Sequence, residues 1–290
     1  ATQQATTPTE SPTLRLTSGN VLLKPGKTTA SKKAASQRIR QRLFSVAANY
    51  TATAAWAAID GRQLDRAQSR LDRALYLAGM AKDPIAELRV WNSYAMLAHQ
   101  RDQFTDAVDA GYAAQATAIA RRDPFYSSLA HARTALGHAT RGDRQATIRS
   151  LGYAEEALSK AAEDENRPSW VSFYGVAELD AMTAIAHDRI GDSAEAEAAS
   201  HRALGSIPME YKRNRALAMA RLALTQVHQR DIDQGCTSAS NVFTLMSGHA
   251  IPGRMRSLLG DFYRDLITLA PDASVAREWG DRYRVEWSRA

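Results

Sequence analysis

The residues of this 290-residue chain best suited to ligate a metal or to act as base or nucleophile are seven histidines and one cysteine. The histidines are His99, His131, His138, His187, His201, His228 and His249, and they are dispersed. Only His131 and His138 share a helix face, seven residues apart and without a partner at i,i+4, which is too sparse for a zinc site. Cys236 follows Gly235 in a stretch of small residues, where a thiol behaves as a small buried hydrophobe. There is no glycine loop ending in Lys-Ser/Thr to cradle a phosphate, no Gly-x-Gly-x-x-Gly opening a helix, and no paired-histidine zinc signature. These patterns predict a binding protein rather than an enzyme, with no cofactor and no metal.

Aromatic residues offer a second chemistry, apolar contact with a polar edge. Trp170, Tyr174 and Glu178 fall at i, i+4 and i+8, and Trp91 and Tyr94 are three apart. Either group could floor an apolar pocket, or serve packing between helices. Trp279, Tyr283 and Trp287 recur every four residues near the C-terminus.

The elements that would position these groups are helices. From about Lys33 the chain is rich in Ala, Leu, Arg and Gln with apolar residues at helical spacing and almost no β-branched runs, which predicts an all-α domain over 33–290. Residues 1–32 are Thr/Ser/Pro-rich and basic, a composition that cannot offset chain entropy by burial, and read as a flexible linker. The net charge is +6, but Arg15, Lys24, Lys27, Lys32, Lys33, Arg38, Arg40 and Arg42 stand against Glu10 alone in the first 42 residues, so the rest of the chain is close to neutral. The excess basicity therefore sits in an arm able to support phosphate contacts without reading sequence. The single cysteine excludes an intrachain disulfide, and no apolar stretch is long enough to span a membrane, so a cytoplasmic setting is expected. The chain opens at Ala1 in linker-like composition, which suggests one part of a longer protein.

Breakers recur in order. Asp83-Pro84, Asp123-Pro124, Arg167-Pro168, Ile207-Pro208 and Ile251-Pro252 each predict a helix start, since proline suits the first helical position. Arg101-Asp102, Gly142-Asp143, Gly191-Asp192 and Arg230-Asp231 predict the turns that follow. After each turn, small residues lie seven apart on one face: Ala67/Ala74, Ala107/Ala114, Ala196/Ala203 and, more weakly, Gly235/Val242. With Ala146 they mark a period of about 40 residues with one longer unit, and helix pairs at such a period predict a solenoid. The segment from Pro271 to Ala290 would cap its last face, and if left uncovered its aromatic stripe would form a homodimer surface.

The pattern resembles the tetratricopeptide repeat. The first-helix element reads Tyr94-Ala95, Leu136-Gly137, Tyr174-Gly175 and Leu217-Ala218, followed by the small pairs just given. The spacing from first to second element is 12 residues between Ala95 and Ala107, as the family has it, but 9, 21 and 17 in the next three units, so the repeats are irregular. The resemblance implies a right-handed solenoid of antiparallel helix pairs, about five to six hairpins, whose first helices line a concave groove. It places Arg89, Asn92 and His99 on that face, then His131, Thr134 and His138, then Ser172 and Asp180, then Lys212 and Arg215. Such a polar, mostly cationic wall would suit a peptide, a protein segment or an acidic small molecule, with Asn92 bonding a peptide backbone and Arg89 or Arg215 clasping a carboxylate.

The runs RDPFYSSLAHARTALGHATRGD and IPMEYKRNRALAMARLALTQVHQRDIDQGC and the terminal REWGDRYRVEW also resemble the C-terminal half of actinobacterial helix-turn-helix regulators. That likeness implies a ligand- or partner-sensing domain of a transcriptional regulator, with DNA bound through a domain outside this chain. The alternative is a constitutive protein–protein adaptor without ligand control.

Overall fold

The computed structural model describes residues 37–162 and 166–288, with side chains to 286. The expected linker, residues 1–32, and the arm residues Arg15, Lys24, Lys27, Lys32 and Lys33 lie outside the described residues. The chain divides into Ala1–Arg40 and Gln41–Ala290, and the described part of the first is only the opening turn of the first helix.

Among the described residues the chain is all-α: twelve α-helices, one short 3-10 turn and no strand. They follow as α1 (Gln37–Asp60), α2 (Leu64–Ala81), α3 (Pro84–Gln100), α4 (Phe104–Ala116), α5 (Pro124–Thr140) and α6 (Arg144–Ser159). After the 3-10 turn at Ser169–Val171 come α7 (Val176–Arg189), α8 (Ser193–Ser206), α9 (Lys212–His228), α10 (Ile232–Leu245), α11 (Gly253–Leu269) and α12 (Ser274–Ser288). No described helix is long and apolar enough to cross a membrane.

Local chemistry explains the boundaries. Asp83 Oδ1 accepts from the backbone N–H groups of Ile85 and Ala86, both at 3.0 Å, and Asp123 Oδ1 accepts from that of Phe125 at 2.9 Å. Each satisfies donors that a helix N-terminus leaves free, with proline next in the chain. The turns between paired helices need one residue in the left-handed region, supplied by Gly142 (φ 74°) and Gly191 (φ 76°) where the sequence offers glycine. Elsewhere Arg62, Lys82, Asp102 and Arg230 adopt it.

From α2 onward each helix packs on its neighbour in sequence, α1 shares a core cluster with α2 through Ala55, Ile59 and Leu71, and the first helices also pack on one another: α3 on α5, α5 on α7, α7 on α9 and α9 on α11. The small residues make these approaches possible. Ala67, Ala74, Ala107, Ala114, Ala196 and Ala203 are all buried. A Cβ on Gly111 would stand 2.5 Å from Thr134 Oγ1, and one on Gly137 2.9 Å from Val108 Cγ2, so α4 and α5 are in near-backbone contact.

The Pro168 unit departs from the helix start expected of it. The chain makes only a 3-10 turn there, and α7 begins after Gly175, so Trp170, Tyr174 and Glu178 do not form one helical stripe. Tertiary packing holds the segment out of the helix: the Tyr174 ring meets Phe125 edge-on at 5.4 Å and its hydroxyl lies 2.6 Å from Ser128 Oγ. Likewise α9 begins at Lys212, four residues after Pro208. At the C-terminus, Trp279 is buried against Phe262 with ring centroids 4.7 Å apart, and Tyr283 stacks on Tyr263 at 4.9 Å. The side chain of Trp287 lies outside those described.

Contacts at Asp60 join the two ends of the helix series. Asp60, the last residue of α1, accepts from Arg213 at the start of α9, and its Oδ1 lies 3.6 Å from Arg254 Nε at the start of α11. Gly253 packs against the same turn: a Cβ there would stand 3.3 Å from the Asp60 carbonyl and 3.5 Å from the Gly61 carbonyl carbon. The first helix pair therefore touches the last ones.

Candidate functional site: a cationic cavity

That closing contact borders a cavity of about 840 Å³. Its wall is drawn from both ends of the helix series: Arg62 in the α1–α2 turn, Met96, His99 and Gln100 of α3 with Asp102 in the turn after it, Ala184, Ile185, Asp188 and Arg189 of α7, Leu217, Arg221, Leu224 and Thr225 of α9, and Arg254, Ser257, Leu258, Gly260, Asp261, Arg264 and Asp265 of α11.

The inner part is cationic. Arg189, Arg221 and Arg254 converge there, with Arg133 of α5 behind them, fully buried and donating from Nε to Asn92 Oδ1 at 2.6 Å. Burial pulls the Arg221 guanidinium down to about 9, with Arg254, Arg189 and Arg133 adding repulsion and Glu178 the one opposing carboxylate. Burial likewise lowers Arg189 to about 10, and lowers Arg133 and Arg254. Burial raises Glu178 above its ordinary value despite the neighbouring Arg133, Arg221 and Arg254. Clustered guanidinium groups in a partly dry site are costly unless an anion sits among them.

Polar atoms on the wall lack partners. Arg189 donates to His99 Nε2, which fixes His99 as a neutral imidazole carrying its proton on Nδ1; burial, reinforced by Arg189, Arg221, Arg133 and Arg62, holds its pKa down to about 3. Among the described residues, that buried Nδ1 and both side-chain amide atoms of Gln100 make no hydrogen bond. In a folded protein such groups are normally paired. Towards the mouth the wall becomes mixed in charge. His228 bridges Asp188 (2.7 Å) and Asp265 (3.3 Å), and these bonds, Asp188 first, raise its pKa to about 9.

The ten residues that the repeat frame placed on one face are distributed as follows. His99 lines the cavity, and Asn92 positions Arg133 behind it. Arg89 donates to Asn49 Oδ1 (2.9 Å) and Thr53 Oγ1 (2.7 Å) of α1 and lies over the Trp170 ring at 5.4 Å, so it ties helices together. Thr134 and His138 face α4, where they meet Gln115 Nε2 (2.6 Å) and the Tyr112 hydroxyl (3.0 Å). His131 packs on Tyr153 of α6. Ser172 is exposed beside the 3-10 turn, with its hydroxyl on the Ser169 carbonyl, and Asp180 accepts from Arg202 of α8. Arg215 donates to the Leu204 and Ile207 carbonyls and closes the end of α8, while Lys212 is exposed. The reason for the spread is geometric. Each first helix packs against several neighbours that share its faces, so His131 meets Tyr153 of α6 while Thr134 meets Gln115 of α4.

The residues that sequence reasoning passed over are Gln100, Arg133, Arg189, Arg221 and Arg254. Arg133 and Arg189 are the only arginines of α5 and α7, and Arg221 stands among apolar residues as in Leu217–Arg221–Leu224, but α9 and α11 each carry two further arginines. Trp91 and Tyr94, rings 5.3 Å apart, floor a separate shallow depression of about 450 Å³ beside Asp106 and Asp109. Among the described residues no group of histidine, cysteine or acidic side chains is placed to hold a metal ion. No protein-family model matches the chain, and no curated protein does so either.

Proposed function

We propose that the helical domain is an irregular tetratricopeptide-type solenoid that binds an anionic ligand, an acidic peptide or small acid, in the cavity between α3, α7, α9 and α11. The observation that carries this reading is the convergence of Arg133, Arg189, Arg221 and Arg254 on the inner part of the cavity, where Glu178 is the one carboxylate acting on Arg221, while Asp102, Asp188, Asp261 and Asp265 line the rest of the wall. Guanidinium forks match carboxylate and phosphate oxygens, and in a low-dielectric cavity that pairing is worth more than in water. The free donors His99 Nδ1–H and Gln100 Nε2 and the acceptor Gln100 Oε1 supply the polar contacts that orient a ligand. A volume of about 840 Å³ suits a drug-sized molecule or a short peptide.

The setting in which such binding would matter is the one implied by the likeness to regulators, a cytoplasmic sensing domain whose ligand acts on DNA binding supplied by another domain. Calorimetric titration with tetraglutamate, with tetralysine as the charge-reversed probe, tests the binding. Saturable uptake of tetraglutamate alone, weakening with salt, is the expected result. Equal binding of both peptides, or of neither, would refute the anionic site and favour a constitutive adaptor.

A further inference from the structure

The cavity exists only where the two ends of the helix series meet. Arg62 comes from the α1–α2 turn and Met96, His99 and Gln100 from α3, whereas Arg221 and Arg254 come from α9 and α11. The seam that holds these halves together is small. It comprises Asp60 bonded to Arg213, the Asp60–Arg254 approach of 3.6 Å, Arg254 over the Trp56 ring at 5.7 Å, and Gly253 against the Asp60–Gly61 backbone. Arg254 belongs to both: its Nε faces Asp60, and the residue lines the cavity.

The geometry points to a seam that is coupled to ligand: occupancy of the cavity holds the first and last helix pairs closed, and Asp60, Arg213 and Gly253 are positioning residues for Arg254. This rests on the anionic-ligand reading above. Closing the seam brings Arg254 and Arg62 up to Arg189 and Arg221, and like charges in a partly buried space oppose that approach. Asp60 offsets part of the repulsion from the rim, and Glu178 offsets part from behind. An anion among the guanidinium groups removes the remainder, so closure favours the ligand and the ligand favours closure, by the same factor in each direction. The coupled element includes α1, whose last residue is Asp60.

Gly253 allows a test that leaves the charges of the cavity alone. It is the first residue of α11, and a side chain there meets the Asp60 carbonyl, Arg62 and Gly61 within 3.5 Å. Gly253→Leu wedges the seam apart, whereas Gly205→Leu in α8, where a Cβ meets nothing within 4 Å, is the matched control. With tetraglutamate as the probe, the dissociation constant is expected to rise at least tenfold for Gly253→Leu and to stay within twofold of the unsubstituted protein for Gly205→Leu. In hydrogen exchange of the unsubstituted protein, tetraglutamate should protect the amides around Gly61–Gln63 and Met255–Arg256. The milder Gly253→Ala, expected to show a smaller loss in the same direction, serves if the leucine variant does not fold. Tetraglutamate binding that is equal in the Gly253 variants and the control, or no gain of protection at the seam, would overturn the coupling and leave the anionic site standing. No binding to the unsubstituted protein would overturn both.

Discussion

Arg221 is the residue at which stability and binding should part company. Its guanidinium falls from its ordinary value to about 9 through burial and through Arg254, Arg189 and Arg133. At pH 7 it is charged both folded and unfolded, so the whole shift is a cost to folding, relieved only as pH rises past about 9. At roughly 1.4 kcal/mol per pKa unit the unscreened cost is about 5 kcal/mol. Water entering by the cavity mouth and relaxation of the neighbouring arginines reduce this, and about 2 kcal/mol is a reasonable expectation. Arg221→Met keeps the length and removes the charge among Leu217, Leu224 and Leu258, which can pack against a thioether. For a domain of this size 2 kcal/mol corresponds to about 4–8 °C in Tm. Calorimetric melting at pH 7 and low salt should therefore show Arg221→Met melting higher than the unsubstituted protein, while titration shows tetraglutamate bound at least tenfold more weakly. Salt at about 0.5 M, where screening acts within a few ångströms, should shrink the difference in melting. A variant that melts lower and still binds tetraglutamate would mean that Arg221 holds the fold and not a ligand.

The pH profile of stability should peak near 6.5. His228, kept charged up to about 9 by Asp188 and Asp265, stabilises fully below its unfolded value of 6.5, and that contribution is lost as pH rises through about 9. His99, kept neutral down to about 3, disfavours the folded state progressively as pH falls below 6.5. In thermal melts, His228→Gln should flatten the alkaline limb and His99→Gln the acid limb; limbs unchanged by these substitutions would refute the assignment. Gly111→Ala forces a methyl to within 2.9 Å of the Thr134 Cα and should cost about 1–3 kcal/mol by overpacking, read as a lower midpoint in denaturant at unchanged slope. An unshifted midpoint would mean that α4 and α5 separate freely.

The helical framework was legible wherever a local rule acts alone. Asp83-Pro84 and Asp123-Pro124 combine a side chain that caps with a ring that fits the first turn, and both open helices. Gly142 and Gly191 mark turns because only a left-handed residue reverses the chain there. Pro168 misled because Phe125, Ser128 and Tyr174 outweigh the local preference. The site was much less legible. Arg133, Arg189, Arg221 and Arg254 lie on four different helices with no common spacing, and in one dimension each looks like an ordinary solvated arginine. Only the packing of α3, α5, α7, α9 and α11 on one another, and the contact of Asp60 with Arg213 and Arg254, gathers them. Of the residues the repeat frame picked out, His99 lines the cavity and Asn92 bonds Arg133 behind it, whereas Thr134 and His138 turn toward α4.

The most direct test of the anionic site is a crystal structure of the protein soaked with tetraglutamate at low salt. Carboxylate density within hydrogen-bond distance of Arg221 and Arg254, with Gln100 or His99 Nδ1 on the same molecule, is the predicted result. Tetraglutamate ordered elsewhere on the surface, with the guanidinium groups of Arg189, Arg221 and Arg254 contacting only water, would contradict it.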